Sequence, residues 1–450
     1  MRVLRRVLVA ACLAVVAAPA SAQSLADTLI AAYRNSNLLE SNRAVLRAAD
    51  EDVAQAMASL RPAISVEGGG SYSNQRLDRI QGSVALQAQI TLYDSGRGRQ
   101  AVEASKEVVL ATRQALVDLE QQVLLNAVRA HVGVRLNEDI VALRRSNLTL
   151  IGQELRAAQD RFDVGETTRT DVAQAEARLA ASRSELASAE GDLAVAREQY
   201  NLAVGRMPGR LAALPRPPAL PGSLEEARRI ALAGHPRVRQ AQHQVTAADL
   251  GIQRAQAAMR PTVTARAGRT FDIEGGRPVD SASLSFNQTL YGGGQLSALY
   301  RQAIARRDQE RATLLQTSAE IGAALGEAWA GLRVGSTSIA ASDEQVRAAQ
   351  TAFEGVREEA RLGARTTLDV LDAEQALLAA RVQRVSAEAN RAVQAYAVLA
   401  AMGLLTAEHL GLGIPTYDPA AYYNAVRNAP ATSSQGRRLD RVLDAIGRNR

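Results

Sequence analysis

Residues apt for catalysis are scarce in this sequence: four histidines and one cysteine among 450 residues. His131, His235, His243 and His409 lie far apart, with no HExxH or similar spacing. A zinc-bound water beside a general base needs two histidines on one helical face, and no pair here meets that requirement. The four are read as surface or interhelical residues. Cys12 falls in the leader, so it offers no thiol nucleophile to the mature chain. The glycine triplets Gly68–Gly70 and Gly292–Gly294 lack the Lys-Ser/Thr pair that a phosphate loop needs. The first lies in strand patterning and the second at a strand-to-helix turn. Paired carboxylates such as Glu51-Asp52 and Glu358-Glu359 read as solvated helix faces. No catalytic constellation, cofactor or metal is expected, and the chain is not read as an enzyme.

Composition narrows the choice further. Aromatic residues make up only 3% of the chain, too few for a base-stacking platform. The formal charge is +6, but Arg2, Arg5 and Arg6 lie in the leader, leaving about +3 (6 − 3) spread evenly. Lys106 is the one lysine among 53 basic residues. Nucleic acid is not an expected partner.

Residues 1–22 read as a secretory signal peptide. Met1–Arg6 is basic, Val7–Ala18 is apolar, and Ala20-Ser21-Ala22 supplies small residues for cleavage. Val9-Ala10-Ala11-Cys12 superficially resembles a lipoprotein box, but cleavage there would leave an apolar core of Val7–Ala11, too short to work. No later segment approaches the ~20 apolar residues of a spanning helix, so any membrane crossing must be made by strands.

The chain is duplicated. Ser24-Leu25 recurs as Ser223-Leu224 and Arg61-Pro62 as Arg260-Pro261, each 199 residues on (223 − 24; 260 − 61). Leu92-Tyr93 recurs as Leu290-Tyr291. Gly165, Asp171-Val172, Glu176 and Gly205 recur as Gly363, Asp369-Val370, Glu374 and Gly403, each 198 residues on (363 − 165). So long a period excludes a solenoid and implies two large equivalent units. The expected division is a first repeat at 23–205, a Pro-rich linker at 206–222, a second repeat at 223–403 and a C-terminal segment with a partly disordered tail at 404–450. A short amphipathic stretch, Leu439–Ile446, has helical patterning in that tail.

Each repeat changes period in the same order. Leu25–Leu60 is alanine-rich and helical in spacing, and Pro62 and Pro261 close the helices. From Ala63 to Ser73, apolar Ile64, Val66 and Tyr72 alternate with Ser65, Glu67, Ser71 and Ser73. Val84, Leu86, Ala88, Ile90 and Leu92 then alternate with Ser83, Ala85, Gln87, Gln89 and Thr91. The second repeat offers Val263, Ala265, Ala267 and Phe271, then Ala282, Leu284, Phe286 and Leu290. Runs of about 10 residues match a tilted strand crossing a bilayer, with one lipid face and one watery face. Amphipathic hairpins on a soluble domain would show the same alternation; the leader and the helices weigh against them. Four strands are too few to close a barrel, and open edges in lipid are costly. Three copies would give twelve strands (3 × 4) under cyclic symmetry.

Gly98–Phe162 then reads as one helix of roughly 100 Å at ~1.5 Å per residue. Val102, Val109, Leu116, Val123 and Ala130 recur every seventh position along it, a coiled-coil seam. Gly165 breaks it and Asp171–Val204 returns. Gln295–Leu362, Gly363 and Thr367–Met402 repeat the plan.

Taken together these segments resemble the TolC-type outer membrane factors. The resemblance covers about Ser24 to Gly403. It rests on "VLRAADEDVAQAMASLRPAI" at 45–64, which looks like the type I secretion branch, and on "LYDSGR" at 92–97 and "LYGGGQ" at 290–295. The paired "FDVGETTRTDVAQAEA" and "ARLGARTTLDVLDAEQA" complete it. It implies a mainly α fold with membrane β: a homotrimer with a 12-stranded outer-membrane barrel, four strands per chain, continued by an α-helical periplasmic tunnel. The linker and C-terminal segment would form an equatorial belt. The implied function is a gated exit duct for type I protein secretion or drug efflux. The implied partners are outer membrane lipid, a periplasmic adaptor (membrane fusion protein) and an inner-membrane ABC or RND-type transporter.

The resemblance also implies site residues. Val164-Gly165 and Leu362-Gly363 would be the adaptor-docking tips. Arg365 with Thr170 and Asp171 would latch the periplasmic mouth, and Asp369 and Asp372 would constrict the lumen. A tyrosine that strengthens the latch in other members is Ala360 here. Asp171 and Asp369 are equally placed to cap helices, whereas Asp372 lies a turn inside its helix. Two alternatives stand beside the duct: a periplasmic adaptor, and a coiled-coil scaffold without transport.

Overall fold

A computed structural model describes residues 22–73, 79–273, 275, 277–426, 437, 438 and 441. The leader with Cys12, most of the Leu439–Ile446 stretch and the rest of the tail lie outside the described residues. The elements run α1 (Leu25–Asn35), α2 (Asn37–Ala58), β1 (Ala63–Ser73), β2 (Arg79–Tyr93), α3 (Arg97–Asp163), α4 (Arg169–Val204), α5 (Leu224–Gly234) and α6 (Pro236–Ala257). They continue with β3 (Thr262–Asp272), β4 (Val279–Asn287), α7 (Gln295–Arg361), α8 (Thr367–Ala401) and α9 (Pro419–Val426).

Three details depart from the sequence reading. The expected single helix Leu25–Leu60 is broken at Ser36, whose extended backbone (φ −72°, ψ 104°) ends α1. Asn35, Ser36 and Asn37 offer side chains that compete for backbone hydrogen bonds, which favours a break there. The second repeat breaks 199 residues on (235 − 36), at His235. Its Nδ1 accepts from the Arg237 N–H at 3.1 Å, and Pro236 opens α6. The fourth strand stops at Asn287, so Thr289 and Leu290 lie beyond it. Strand lengths also spread more than the uniform run expected, from 9 residues in β4 to 15 in β2.

The chain divides into two compact units. The first holds 1–37, 120–231 and 323–414; the second holds 38–119, 232–322 and 415–450.

In the second unit the four strands form one antiparallel sheet in the order β1-β2-β3-β4. Pairing sets Val66 opposite Leu86, Val84 opposite Phe271 and Ala265 opposite Leu284, gathering the apolar side chains on one face. That face is bare: Ile64, Val66, Leu284 and Phe286 are each 68–73% exposed. Serine, threonine and glutamine occupy the other face, joined by Glu67, Gln89 and Arg266, and Arg266 Nε donates to Gln89 Oε1 at 3.0 Å. Near the β3–β4 turn, Arg269 and Asp280 form a bidentate pair. Beside the sheet, Leu46, Val53 and Val109 make a core against which Tyr417 and Tyr423 pack. Arg43 and Arg113 stack over the two tyrosine rings at 5.3 Å, which ties down the segment leading into α9. His243 lies 2.7 Å from Glu107.

In the first unit, Gln23 pairs with Leu211 as a short parallel bridge, so the Pro-rich segment is held against the residues just before α1. Leu29, Leu124, Tyr200 and Leu399 are buried there. Of the heptad positions along α3, which runs through both units, Val102 and Val109 in the second and Val123 and Ala130 in the first are buried, and Leu116 in the second is half-buried, as the seam requires. No described helix is long and apolar enough to cross a membrane.

Candidate channel mouth and gate

The site lies in the first unit, where two helix-turn-helix segments of like build meet. Helix α3 ends in a Schellman motif. Gly165 N–H donates to Phe162 O at 3.0 Å and Glu166 N–H to Arg161 O at 2.9 Å. At the corresponding place in the second repeat, Gly363 donates to Ala360 O at 3.1 Å and Ala364 to Glu359 O at 2.9 Å. Both glycines have left-handed φ, 82° and 78°, which an L side chain adopts only with strain. Val164 and Leu362 precede them and stand 70% and 79% exposed, one apolar side chain held out at each turn.

Three residues beyond each glycine a threonine caps the returning helix. Thr168 and Thr366 accept from the N–H groups of Asp171 and Asp369, and those carboxylates bond back to the threonines. Such reciprocal boxes satisfy donors at the helix start. Asp171 accepts through Oδ2 from Thr167 Oγ1, Thr168 N and Thr168 Oγ1, at 2.7, 3.0 and 2.8 Å. Those bonds, led by the Thr167 hydroxyl, hold its pKa below the ordinary value. Asp369 is likewise lowered, first by the Thr366 backbone N–H. Its bonds from Thr366 N and Thr366 Oγ1 also fall on Oδ2.

Arg365 is half exposed, and its Nε donates to Glu359 Oε2 at 2.8 Å within the same turn. Thr170 is exposed in the first turn of α4. Arg365 is thus bonded to its own turn in the single chain, where it does not bond Thr170 or Asp171. Asp372 is exposed and accepts from Arg178 Nη2, joining α8 to α4. Ala360 is buried with Phe353, Val370 and Leu377, so it contributes to the helix core and not to a latch.

Other residues tie the two repeats together here; of them the sequence patterns mark only Glu374, as the repeat match of Glu176, and give it no role. Arg161, in the last turn of α3, has its Nη2 3.5 Å from Thr367 Oγ1 at the start of α8. Glu374 is 4% exposed and accepts from Asn147 Nδ2 at 2.6 Å, while Ser182 Oγ donates to Asn147 Oδ1 at 3.3 Å. Burial pushes the Glu374 carboxyl up to about 7. Ile151, Ala175 and Leu371 pack around this node from α3, α4 and α8. The available signal was that Glu374 falls on the same helical face as Val370, Leu371 and Leu377, an apolar stripe interrupted by one acid. Among the described residues no cluster of histidine, cysteine and carboxylate side chains could hold a metal ion.

Comparison with known proteins agrees with the duplicated architecture. The model of the outer membrane efflux protein family matches residues 28–206 and again 227–404. The outer membrane efflux protein BepC of Brucella suis biovar 1 is 35% identical over 421 residues, covering 91% of both chains. The alkaline protease secretion protein AprF of Pseudomonas aeruginosa is 24% identical, over 69% of this chain and 67% of its own. Outer membrane protein TolC of Escherichia coli is 23% identical, over 87% of this chain and 85% of its own. Among solved structures, CusC superposes with a TM-score of 0.77 at 21% identity, over 85% of this chain and 92% of its own. VceC of Vibrio cholerae gives 0.73 at 20% identity, over 84% and 96%. The twofold family match decides for a channel over the adaptor and scaffold alternatives. By that match and by its likeness to BepC over nine-tenths of its length, the chain belongs to the outer membrane efflux protein family, channel proteins of the outer membrane.

Proposed function

We propose that three copies of this chain pool their strands into a twelve-stranded barrel and their helices into a periplasmic tunnel, forming a gated exit duct. The observation that carries this is the four-stranded sheet, with a bare apolar face and two unpaired edges. In lipid each unsatisfied backbone group costs several kcal/mol, so the edges of β1 and β4 must meet strands of other copies. The apolar face then meets outer membrane lipid and the polar face lines the lumen. Chemical cross-linking of the detergent-purified protein should stop at trimer, in a fraction that sarkosyl leaves insoluble. Recovery as a soluble periplasmic monomer would reject the duct.

The exposed turns at Val164-Gly165 and Leu362-Gly363 support a docking role toward a periplasmic adaptor, itself bound to an inner-membrane ABC or RND-type transporter. Of its relatives, one is named for efflux and another for protease secretion. The type I secretion flavour of 45–64 favours polypeptide.

Arg365, Thr170 and Asp171 form the latch in this reading. Arg365 would exchange or share its Glu359 bond for Thr170 and the Asp171 carboxylate when the mouths of three copies meet. Arg365→Ser should raise single-channel conductance in planar bilayers, and an unchanged conductance would remove Arg365 from the latch.

Asp369 and Asp372 would set six carboxylates (2 × 3) around the constriction, where weakly screened negative charge attracts cations. Asp369→Ala combined with Asp372→Ala should lower cation selectivity and relieve block by multivalent cations added from the periplasmic side. Selectivity and block both unchanged would mean that the two side chains face away from the lumen, with only their capping and Arg178 contacts left.

A further inference from the structure

Glu374, on α8, sits where groups of α3, α4 and α7 surround it, and its surroundings are unbalanced. From α3 it meets the Asn147 amide, with the Glu154 charge near; from α4 the Arg178 charge is near, while Ser182 bonds the other end of the Asn147 amide; and from α7 the Arg357 charge is near. The two cations are already engaged. Arg178 pairs with Asp372, and Arg357 lies 3.8 Å from Glu154. Glu374 is therefore left with one neutral donor on Oε1, while its buried Oε2 has no partner. A neutral carboxyl tolerates such a place; a carboxylate buried without a counter-ion does not. Its equivalent in the first repeat, Glu176, is exposed, so the imbalance belongs to one of the two repeats alone.

We propose that Glu374 is a proton-operated lock on the mouth: while its carboxyl is neutral, α8 stays packed against α3 and α4, and loss of the proton drives that packing apart. The inference rests on the channel reading for the word mouth, but the lock itself is a property of the helix packing. Burial places the carboxyl at about 7 in the packed state, against an ordinary 4.5. Protons therefore bind the packed state more tightly, and the packed state weakens as pH rises through that window. The Arg178–Asp372 pair would part in the same movement, freeing Asp372. Neutral or mildly alkaline periplasm would thus ease opening by an adaptor, and acid would hold the mouth shut.

The test uses the full-length, detergent-purified protein and two readouts. Hydrogen exchange, expressed as protection factors, should show the amides of 169–182 and 367–378 losing about tenfold in protection between pH 6 and 8, as expected for one linked proton. Planar-bilayer open probability should rise over the same interval. Glu374→Gln keeps the acceptor for Asn147 and cannot ionise, so both responses should flatten while the protein stays folded. Asn147→Ala removes the donor that favours the carboxylate, so the midpoint should move to higher pH. Wild type and Glu374→Gln with the same pH response in exchange would overturn the lock. A Glu374-dependent exchange response without conductance in any variant would instead reject the duct and leave the lock standing.

Discussion

Tyr200→Ala should destabilise the helical unit by about 3–5 kcal/mol, the range for removing a buried aromatic side chain. Tyr200 is wholly buried in α4, one turn before the helix ends. Its hydroxyl accepts from Gln23 Nε2 at 2.7 Å and lies 3.0 Å from Thr28 Oγ1. Thr28 Oγ1 also lies 2.8 Å from His131 Nδ1. The tyrosine thus anchors Gln23, α1 and α3 in one cluster, and alanine leaves both a cavity and unpaired polar groups. Tyr200→Phe keeps the ring and should cost only about 1 kcal/mol. Thermal melting followed by circular dichroism, at one scan rate for all three proteins, ranks them. An alanine variant melting with wild type would show that the cluster contributes nothing.

The second large effect is a loss of stability in acid, carried by His131. This side chain is 0% exposed, and burial, with the Arg135 charge beside it, lowers its pKa from 6.5 to about 4. Above pH 6.5 the ring is neutral both folded and unfolded, and pH has no leverage through it. As pH falls from 6.5 to 4 the unfolded chain takes up a proton that the folded chain refuses, so stability is lost progressively. A shift from 6.5 to about 4 at ~1.4 kcal/mol per unit amounts to about 3 kcal/mol at the bottom of the window. Glu374 and Asp50 act in the opposite sense. Burial raises them to about 7 and about 6, so they favour the folded state as pH falls. The measurement is therefore a difference between wild type and His131→Asn, in which the two acids cancel. Wild type should lose about 3 kcal/mol relative to the variant between pH 7 and pH 4. Parallel pH curves for the two proteins would place the His131 ring in contact with water.

Much of the fold is legible without coordinates because it rests on local periodicity. The heptad valines of α3 are buried since a seven-residue repeat keeps one stripe facing a partner helix. The strands alternate because successive side chains point to opposite faces, so the bare apolar face could be read from Ile64, Val66, Leu284 and Phe286. The glycine turns were also legible, since a left-handed residue closing a long helix is almost always glycine or asparagine. The break at Ser36 was missed although Asn35-Ser36-Asn37 signals it, because the apolar spacing runs on through those residues and outweighed propensity.

Residue type and spacing along single segments carry the duplication, the order of strand and helix, the turns and the family. The tertiary structure alone decided which equivalent residues share a fate. Glu176 and Glu374 occupy the same place in their repeats, yet the first is exposed and the second is enclosed by α3 and α4. His131 and His409 are both lone histidines, yet one is sealed beside Thr28 and the other meets solvent. Burial and pairing depend on groups hundreds of positions away: Asn147 for Glu374, 227 residues distant, and Arg178 for Asp372, 194 residues distant. No local pattern encodes those distances, because a helix fixes the face a side chain occupies while the packing of other helices fixes what that face meets.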